Sequence, residues 1–225
     1  MPQANNEQQS WVWLFDLDNT LHDASQAVFP RISESMTRYL VQHLGLTEAD
    51  AHALRIKYWQ RYGATLSGLV RHHGVNPHHF LQETHQFPDL LDILRTETAL
   101  GRQLASLPGR KIIFTNAPRH YARAVLHGLK VDRLFDDVWG LEDIRFFPKP
   151  SLKGYQQILR HTGVDPSRVI MVEDTLENLR TARRLGMKTV LVSPDMRKPS
   201  WVDARVKNIA AMKRIVWLRA RTGKE

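Results

Sequence analysis

The sequence contains no cysteine. Disulfides, thiolate nucleophiles and thiolate-bound metals are thereby excluded. It also lacks any apolar run approaching the ~20 residues that a membrane-spanning helix requires. Residues 1–10 are polar, with neither a basic stretch nor an apolar one, and read as a frayed tail rather than a secretory signal. By elimination, the expectation is a soluble, cytoplasmic protein. Acid is the scarcer charge: 23 Asp and Glu face 32 Lys and Arg, a formal net charge of +9. Such a surface attracts anions, phosphorylated metabolites and nucleic acid among them. Much of the excess lies late, from Arg180 to Lys224, and reads first as a solvated basic face. Internal repeats and low-complexity tracts are absent. What remains is 225 residues, 42% hydrophobic and 24% charged, an ordinary globular composition. One large domain, or a core with an inserted piece, is expected.

The chain is organised around Trp11-Val-Trp-Leu-Phe-Asp-Leu-Asp-Asn-Thr-Leu21. Five apolar residues without alternation read as a strand buried on both faces, the habit of parallel sheets. Asp16 and Asp18 follow at its carboxyl edge, where open α/β sheets bind ligands. Two carboxylates so close repel each other, and both stay ionised when a hard cation such as Mg²⁺ sits between them. The plainer alternative is a polar turn, since Asp and Asn are common turn residues.

Beyond Leu21 the pattern is helical. Apolar spacing predicts a helix over Arg31–Leu44 ended by Gly45, and another from Thr47, with Asp50 three residues on, to Tyr62 and Gly63. Shorter helices are expected over Leu66–Val70 and Pro77–Gln86, and Asp89 should cap one running to about Leu104. From Lys111 strands return, over Lys111–Thr115, Phe135–Trp139, Arg168–Val172 and Lys188–Val192. Helices over Tyr121–His127, Leu152–His161 and Leu176–Leu185 alternate with them, and a helical run carries Ile209, Met212, Val216 and Leu218. This alternation predicts an α/β, Rossmann-like, doubly wound parallel sheet. Residues 1–22 and 88–225 form the expected core domain. Residues 23–87 form a helical insertion that enters at the ligand edge and can act as a lid.

Four segments then bring polar groups to one edge: Asp16 and Asp18, Thr115 and Asn116, Lys149 within Phe146-Phe-Pro-Lys-Pro-Ser151, and Glu173 and Asp174. Two acids on each of two strands suit an octahedral Mg²⁺ site completed by waters and a substrate oxygen. A hydroxyl, a backbone N–H and a lysine suit phosphoryl oxygens. Other residues carry two readings each. His72, His73, His78 and His79, with His85, form either a metal cluster or polar surface; adjacent residues on a helix point to different sides. Tyr62, Thr65, Arg71 and Arg119 are candidate substrate contacts, weighed against packing or plain surface.

The set Asp16-Leu-Asp18-Asn-Thr20, Thr115-Asn116, Lys149 before a proline, and Glu173-Asp174 with Asn178 resembles the haloacid dehalogenase superfamily of phosphohydrolases. The resemblance runs from Trp11 to about Val192. Arg61–Gly74, Ile113–Arg119 and Val172–Asn178 look closer to its pyrimidine 5′-nucleotidase-like group. It implies a Rossmann-like core with a small helical cap, and a Mg²⁺-dependent phosphomonoester hydrolase working through an aspartyl-phosphate. Asp16 is then the nucleophile and Asp18 the general acid and base. Asp16, the Asp18 backbone carbonyl and Asp174 are the implied metal ligands, with Glu173 acting through water. Thr115, Asn116 and Lys149 are implied to hold the phosphoryl oxygens. Asn178 stands where many relatives carry Asp, and the second Asp of the first motif argues against a dehalogenase. The implied substrates are pyrimidine nucleoside 5′-monophosphates, UMP and CMP. Two alternatives stand beside them: another small phosphometabolite such as a sugar phosphate or phosphoglycolate, and a basic nucleic-acid binder on the same scaffold. The expected partner is a small phosphorylated metabolite, rather than a membrane or nucleic acid.

Overall fold

The computed structural model describes residues 11–94 and 98–214. Its centre is β1, Val12–Phe15, whose four residues are all buried. Successive side chains of a strand face opposite ways. Val12 and Leu14 accordingly enter one core, and Trp13 and Phe15 enter another on the opposite face. Each such side chain contributes roughly 1.5–3 kcal/mol by leaving water. Trp13 buries a polar atom as well, and its indole N–H donates to the Pro108 carbonyl at 2.8 Å.

Five further strands lie parallel to one another in the same sheet: β2 (Arg110–Phe114), β3 (Asp137–Trp139), β4 (Val169–Glu173), β5 (Lys188–Val192) and β6 (Ala204–Val206). Their order is β3-β2-β1-β4-β5-β6. Leu14 pairs in register with Ile112 on one side and Met171 on the other. The strand order reverses at β1, so the crevice of this α/β fold opens at the carboxyl ends of β1 and its two neighbours.

Among the described residues six helices lie between β1 and β2, and the first four are α1 (Val28–Leu44), α2 (Glu48–Tyr62), α3 (Thr65–His73) and α4 (Pro77–Thr84). Gly45 and Gly63 close the first two in the left-handed conformation, at φ 65° and 76°. Thr47 caps α2 as its spacing predicted, accepting from the Asp50 N–H at 3.2 Å. Asn76 caps α4, accepting from the N–H groups of His78 and His79. The helices pack on each other, α2 against α3 most closely. Gly68 makes that approach feasible, because a Cβ there would lie 2.2 Å from Tyr58 Cγ.

The remaining helices are α5 (Leu90–Ile93), α6 (Thr98–Ser106), α7 (Arg119–Gly128), α8 (Leu152–Thr162) and α9 (Leu176–Arg184). The single helix expected from Asp89 to Leu104 is therefore two, and Asp89 does not cap it. Its carboxylate pairs with Arg31 instead. β3 is shorter than expected, because Asp132–Leu134 folds as a 3₁₀ turn ahead of it. β6 was not expected, and Ile209–Arg214 is a 3₁₀ helix rather than part of an α-helix. Val216 and Leu218 lie outside the described residues. No described helix is long and apolar enough to cross a membrane.

Candidate active site

The β1 ladder continues one residue beyond the strand, where the Asp16 N–H donates to the Val172 carbonyl at 2.9 Å. A tight turn follows. The Leu21 N–H returns to the Leu17 carbonyl at 2.8 Å, and Asn19 takes a positive φ of 59°, a conformation Asn tolerates better than most residues. Its side-chain oxygen accepts from Ala24 N–H at 3.1 Å and Ser25 Oγ at 3.0 Å. This turn places Asp16 buried and Asp18 half-buried at the mouth of the crevice.

Lys149 arrives from the loop after β3 and is held at its backbone by Asn116. Asn116 Oδ1 accepts from Lys149 N–H at 2.7 Å, and Asn116 Nδ2 donates to Lys149 O at 3.0 Å. The buried ammonium donates to Asp16 Oδ1 and to Glu173 Oε2, each at 2.7 Å. Glu173 is saturated. Its Oε1 accepts from the backbone N–H groups of Asp174 (3.1 Å) and Thr175 (3.2 Å), and its Oε2 also accepts from Asn178 Nδ2 (3.0 Å). Asp174 is freer, and its carboxylate accepts from Thr175 Oγ1 at 3.3 Å. Thr115 is buried beside them, its Oγ1 accepting from Ala117 N–H at 3.1 Å, which leaves its own hydrogen to donate.

Three buried or partly buried carboxylates face one ammonium here. Burial, then the charge of Glu173, pushes Asp16 up to about 7, although Lys149 pulls the other way. Burial likewise raises Glu173 and Asp174 above the ordinary carboxylate range. It acts against the charged form of Lys149 too, but the charges of Asp16 and Glu173 outweigh it and hold the lysine protonated. Asp16, Glu173 and Asp174 each bring an oxygen within 4.8 Å of the others. All-oxygen donors carrying surplus negative charge fit a hard divalent cation such as Mg²⁺. Asp16 and Asp174 have the lone pairs to offer it; those of Glu173 are already occupied.

Asp18 stands apart from this group. Its Oδ1 accepts from Tyr121 Oη at 2.8 Å and meets His22 Nε2 at 3.0 Å. Asp16, Asp18, Thr115, Lys149 and Asp174 line one cavity of about 590 Å³. Its opposite wall is Phe29, Ile32 and Met36 of α1, Arg55, Ile56 and Trp59 of α2, and Thr65 and Leu66 of α3. Trp59 is 60% exposed, unusual for a tryptophan.

The crevice thus gathers every residue that the sequence marked for the strand ends. Other expectations fall elsewhere. The Asn116 carboxamide is engaged with the Lys149 backbone and Asn178 with Glu173, so both act as supports. Arg119 pairs with Asp143 rather than facing the crevice. Tyr62 and Arg71 line an adjoining groove with Phe146 and Pro148. The histidines form no metal cluster among the described residues: His72, His73 and His79 bond to the hydroxyls of Tyr62, Tyr58 and Tyr39. Tyr121 and His22 were missed. Tyr121 reads only as the apolar face of a helix, and His22 carries no signal beyond standing four residues after Asp18.

Comparison with known proteins agrees with this architecture. The family of haloacid dehalogenase-like hydrolases matches residues 13–192. Phosphate metabolism protein 8 of Saccharomyces cerevisiae is 26% identical over 196 residues, 80% of this chain. The chain spans only 60% of that yeast protein's length. A HAD phosphatase from Thermococcus onnurineus superposes with a TM-score of 0.65 at 18% identity, covering 92% of this chain and 97% of that one. The HAD-hydrolase YfnB from Bacillus subtilis, whose structure was solved with magnesium bound, gives 0.58 at 17% identity, covering 92% and 98%.

Proposed function

The chain belongs to the haloacid dehalogenase-like hydrolase family, and from that premise we propose that it is a Mg²⁺-dependent phosphomonoester hydrolase. The observation that carries the reading is Asp16, buried against Lys149 and opening onto a cavity it shares with Asp18 and Asp174. Asp16 attacks phosphorus through a carboxylate oxygen while the ester P–O bond breaks, and Asp18 gives its proton to the leaving alkoxide. Asp18 then takes a proton from water as the water oxygen attacks phosphorus, and the bond to Asp16 breaks to release phosphate. Splitting one hard displacement in two is the benefit of a carboxylate nucleophile.

Lys149 uses two of its three N–H bonds on Asp16 and Glu173, so the third can meet a phosphoryl oxygen. Thr115 donates its hydroxyl hydrogen to another. Asp16, the Asp18 backbone carbonyl and Asp174 are the groups that would hold the cation. When bound, Mg²⁺ neutralises charge that otherwise keeps one anion from approaching another. Residues 23–87 serve as a cap, contributing the apolar wall that meets the leaving group.

The substrate reading is a pyrimidine nucleoside 5′-monophosphate. Phe29, Ile56 and Trp59 line the cavity with exposed apolar side chains, and the cavity is roomier than phosphoglycolate needs. Among the described late basic residues, Arg183 and Lys188 face Asp203, and Arg180 lies over the Trp201 ring, so these three are engaged within the fold. The test is phosphate release from a panel holding UMP, CMP, sugar phosphates and phosphoglycolate, with Mg²⁺ and with chelator. Mg²⁺-dependent release, fastest from UMP or CMP and abolished by Asp16→Asn with the fold intact, is expected. No release from any ester overturns the activity, and Asp16→Asn retaining turnover overturns the nucleophile.

A further inference from the structure

Asp18 is held in a way the cleavage chemistry does not by itself demand. Two donors from distant parts of the chain converge on the same oxygen, Oδ1: the Tyr121 hydroxyl at 2.8 Å and His22 Nε2 at 3.0 Å. Among the described residues no donor reaches Oδ2. Both partners are buried, Tyr121 completely and the His22 side chain to 2% exposure. Buried polar groups are costly when unpaired, so such a convergence holds a side chain in one orientation.

The protons can be placed. The Tyr121 hydroxyl spends its single hydrogen on Asp18 Oδ1. His22 Nδ1 is buried and has no hydrogen-bond partner among the described residues. A bare nitrogen there leaves an acceptor unmet, whereas an N–H would leave a buried donor unmet and take the hydrogen from the bond to Asp18. The ring therefore carries its hydrogen on Nε2 and donates it to Asp18. The clamp is braced in turn. His22 follows the tight turn after β1, where Asp18 and His22 also form an isolated backbone bridge. The Tyr121 ring on α7 meets the His85 ring edge to face at 5.9 Å and the Phe87 ring at 6.3 Å, both from the segment after α4.

We propose that Tyr121 and His22 are positioning residues which fix the Asp18 carboxyl by Oδ1 and leave Oδ2 as the oxygen that exchanges the proton with the leaving group and with water. The proposal rests on the phosphatase reading above. In the first step the Oδ2–H bond breaks as the leaving oxygen gains that hydrogen. In the second, Oδ2 regains a hydrogen from the attacking water. With either donor removed, the carboxyl rotates about its side-chain bonds and Oδ2 loses its aim.

The test compares an alkyl phosphomonoester with p-nitrophenyl phosphate in Mg²⁺-containing buffer. A nitrophenolate leaves without a proton, so its departure does not need Asp18, whereas hydrolysis of the aspartyl-phosphate does. Tyr121→Phe should lower kcat for the alkyl ester by ~10–100-fold, part of the ~10²–10⁴ that acid–base catalysis supplies, with KM nearly unchanged. With p-nitrophenyl phosphate, its steady-state rate should fall while a burst of about one nitrophenolate per enzyme persists. His22→Ala should behave alike, and His22→Gln, which keeps an N–H donor, should recover most of the loss. Equal losses on both esters without a burst, a rise confined to KM, or no loss at all overturns the proposal. Should Tyr121→Phe fail to fold, the His22→Ala and His22→Gln pair decides the question alone. Absence of wild-type turnover on every ester instead sinks the phosphatase reading, so the two failures are distinguishable.

Discussion

His85 permits a test of the buried electrostatics that needs no turnover. The ring is buried beside the crevice, with Nδ1 against Thr84 Oγ1 at 2.9 Å. Burial lowers its pKa from 6.5 to about 4; Asp18 acts upward and His120 downward, both as smaller influences. In the unfolded chain the ring returns to its ordinary value near ~6.5. Between those values the unfolded chain binds a proton that the folded one refuses. The contribution is therefore fully present above about 6.5 and is lost as the pH falls through about 4. At ~1.4 kcal/mol for each pH unit, that interval comes to about 3 kcal/mol. The acidic cluster works in the opposite sense. Asp16, Glu173 and Asp174 have raised values in the folded state, so they favour it as the pH falls. The informative quantity is thus the difference between wild type and His85→Asn, from urea unfolding near pH ~7 and near pH ~4.5. Acidification should favour the variant relative to wild type by about 3 kcal/mol. Parallel pH curves for the two proteins would refute the reasoning, since the ring would then titrate alike in both states.

Lys149→Met removes the one ammonium facing Asp16 and Glu173. Urea unfolding at neutral pH should show a loss of ~3–5 kcal/mol, shrinking in mild acid as the raised carboxylates take up protons. An unchanged midpoint would mean that the two acids are already neutral in the wild type. Gly68→Ala pushes a Cβ against the Tyr58 ring between α2 and α3. It should cost ~1–3 kcal/mol in thermal or urea unfolding, and a neutral result would show that the two helices part easily.

Much of the architecture was legible because burial leaves marks in sequence. β1 is buried on both faces, so its apolar run has no alternation, and its position beside two parallel partners follows. Thr47 and Gly63 announced α2 because orphaned backbone groups at helix ends need such residues. β6 was invisible. Ala204–Val206 is three residues long, and its place at the sheet edge depends on tertiary bonds: Ser193 N–H to the Val206 carbonyl, and Thr189 N–H to the Asp203 carboxylate. The loss of the Asp89 cap was equally silent, since its carboxylate is drawn to Arg31 across 58 residues of sequence. The same limit applies to the crevice. Acids at strand ends are visible, but one of the two donors to Asp18, the Tyr121 hydroxyl, lies 103 residues away on α7.

Charge explains why the crevice divides its residues as it does. Three carboxylates within 4.8 Å of one another, with a single lysine, are a poor arrangement for stability alone. Glu173 is the one acid whose surroundings fully satisfy it, by two backbone N–H groups, Asn178 and Lys149. Its part is to hold the lysine, and through the lysine to fix one oxygen of Asp16. That leaves Asp16 Oδ2, met only by Thr20 Oγ1 at 3.5 Å, and the carboxylate of Asp174 as the under-satisfied oxygens at the end of the sheet. An anionic substrate cannot approach them unless a cation joins it. A cation in turn is favoured most where the fold has left negative charge uncompensated. Under the proposed function, that uncompensated charge at the sheet edge is what a cation and a phosphoryl group arriving together would offset, and a stabilising ion-pair network would have no use for it.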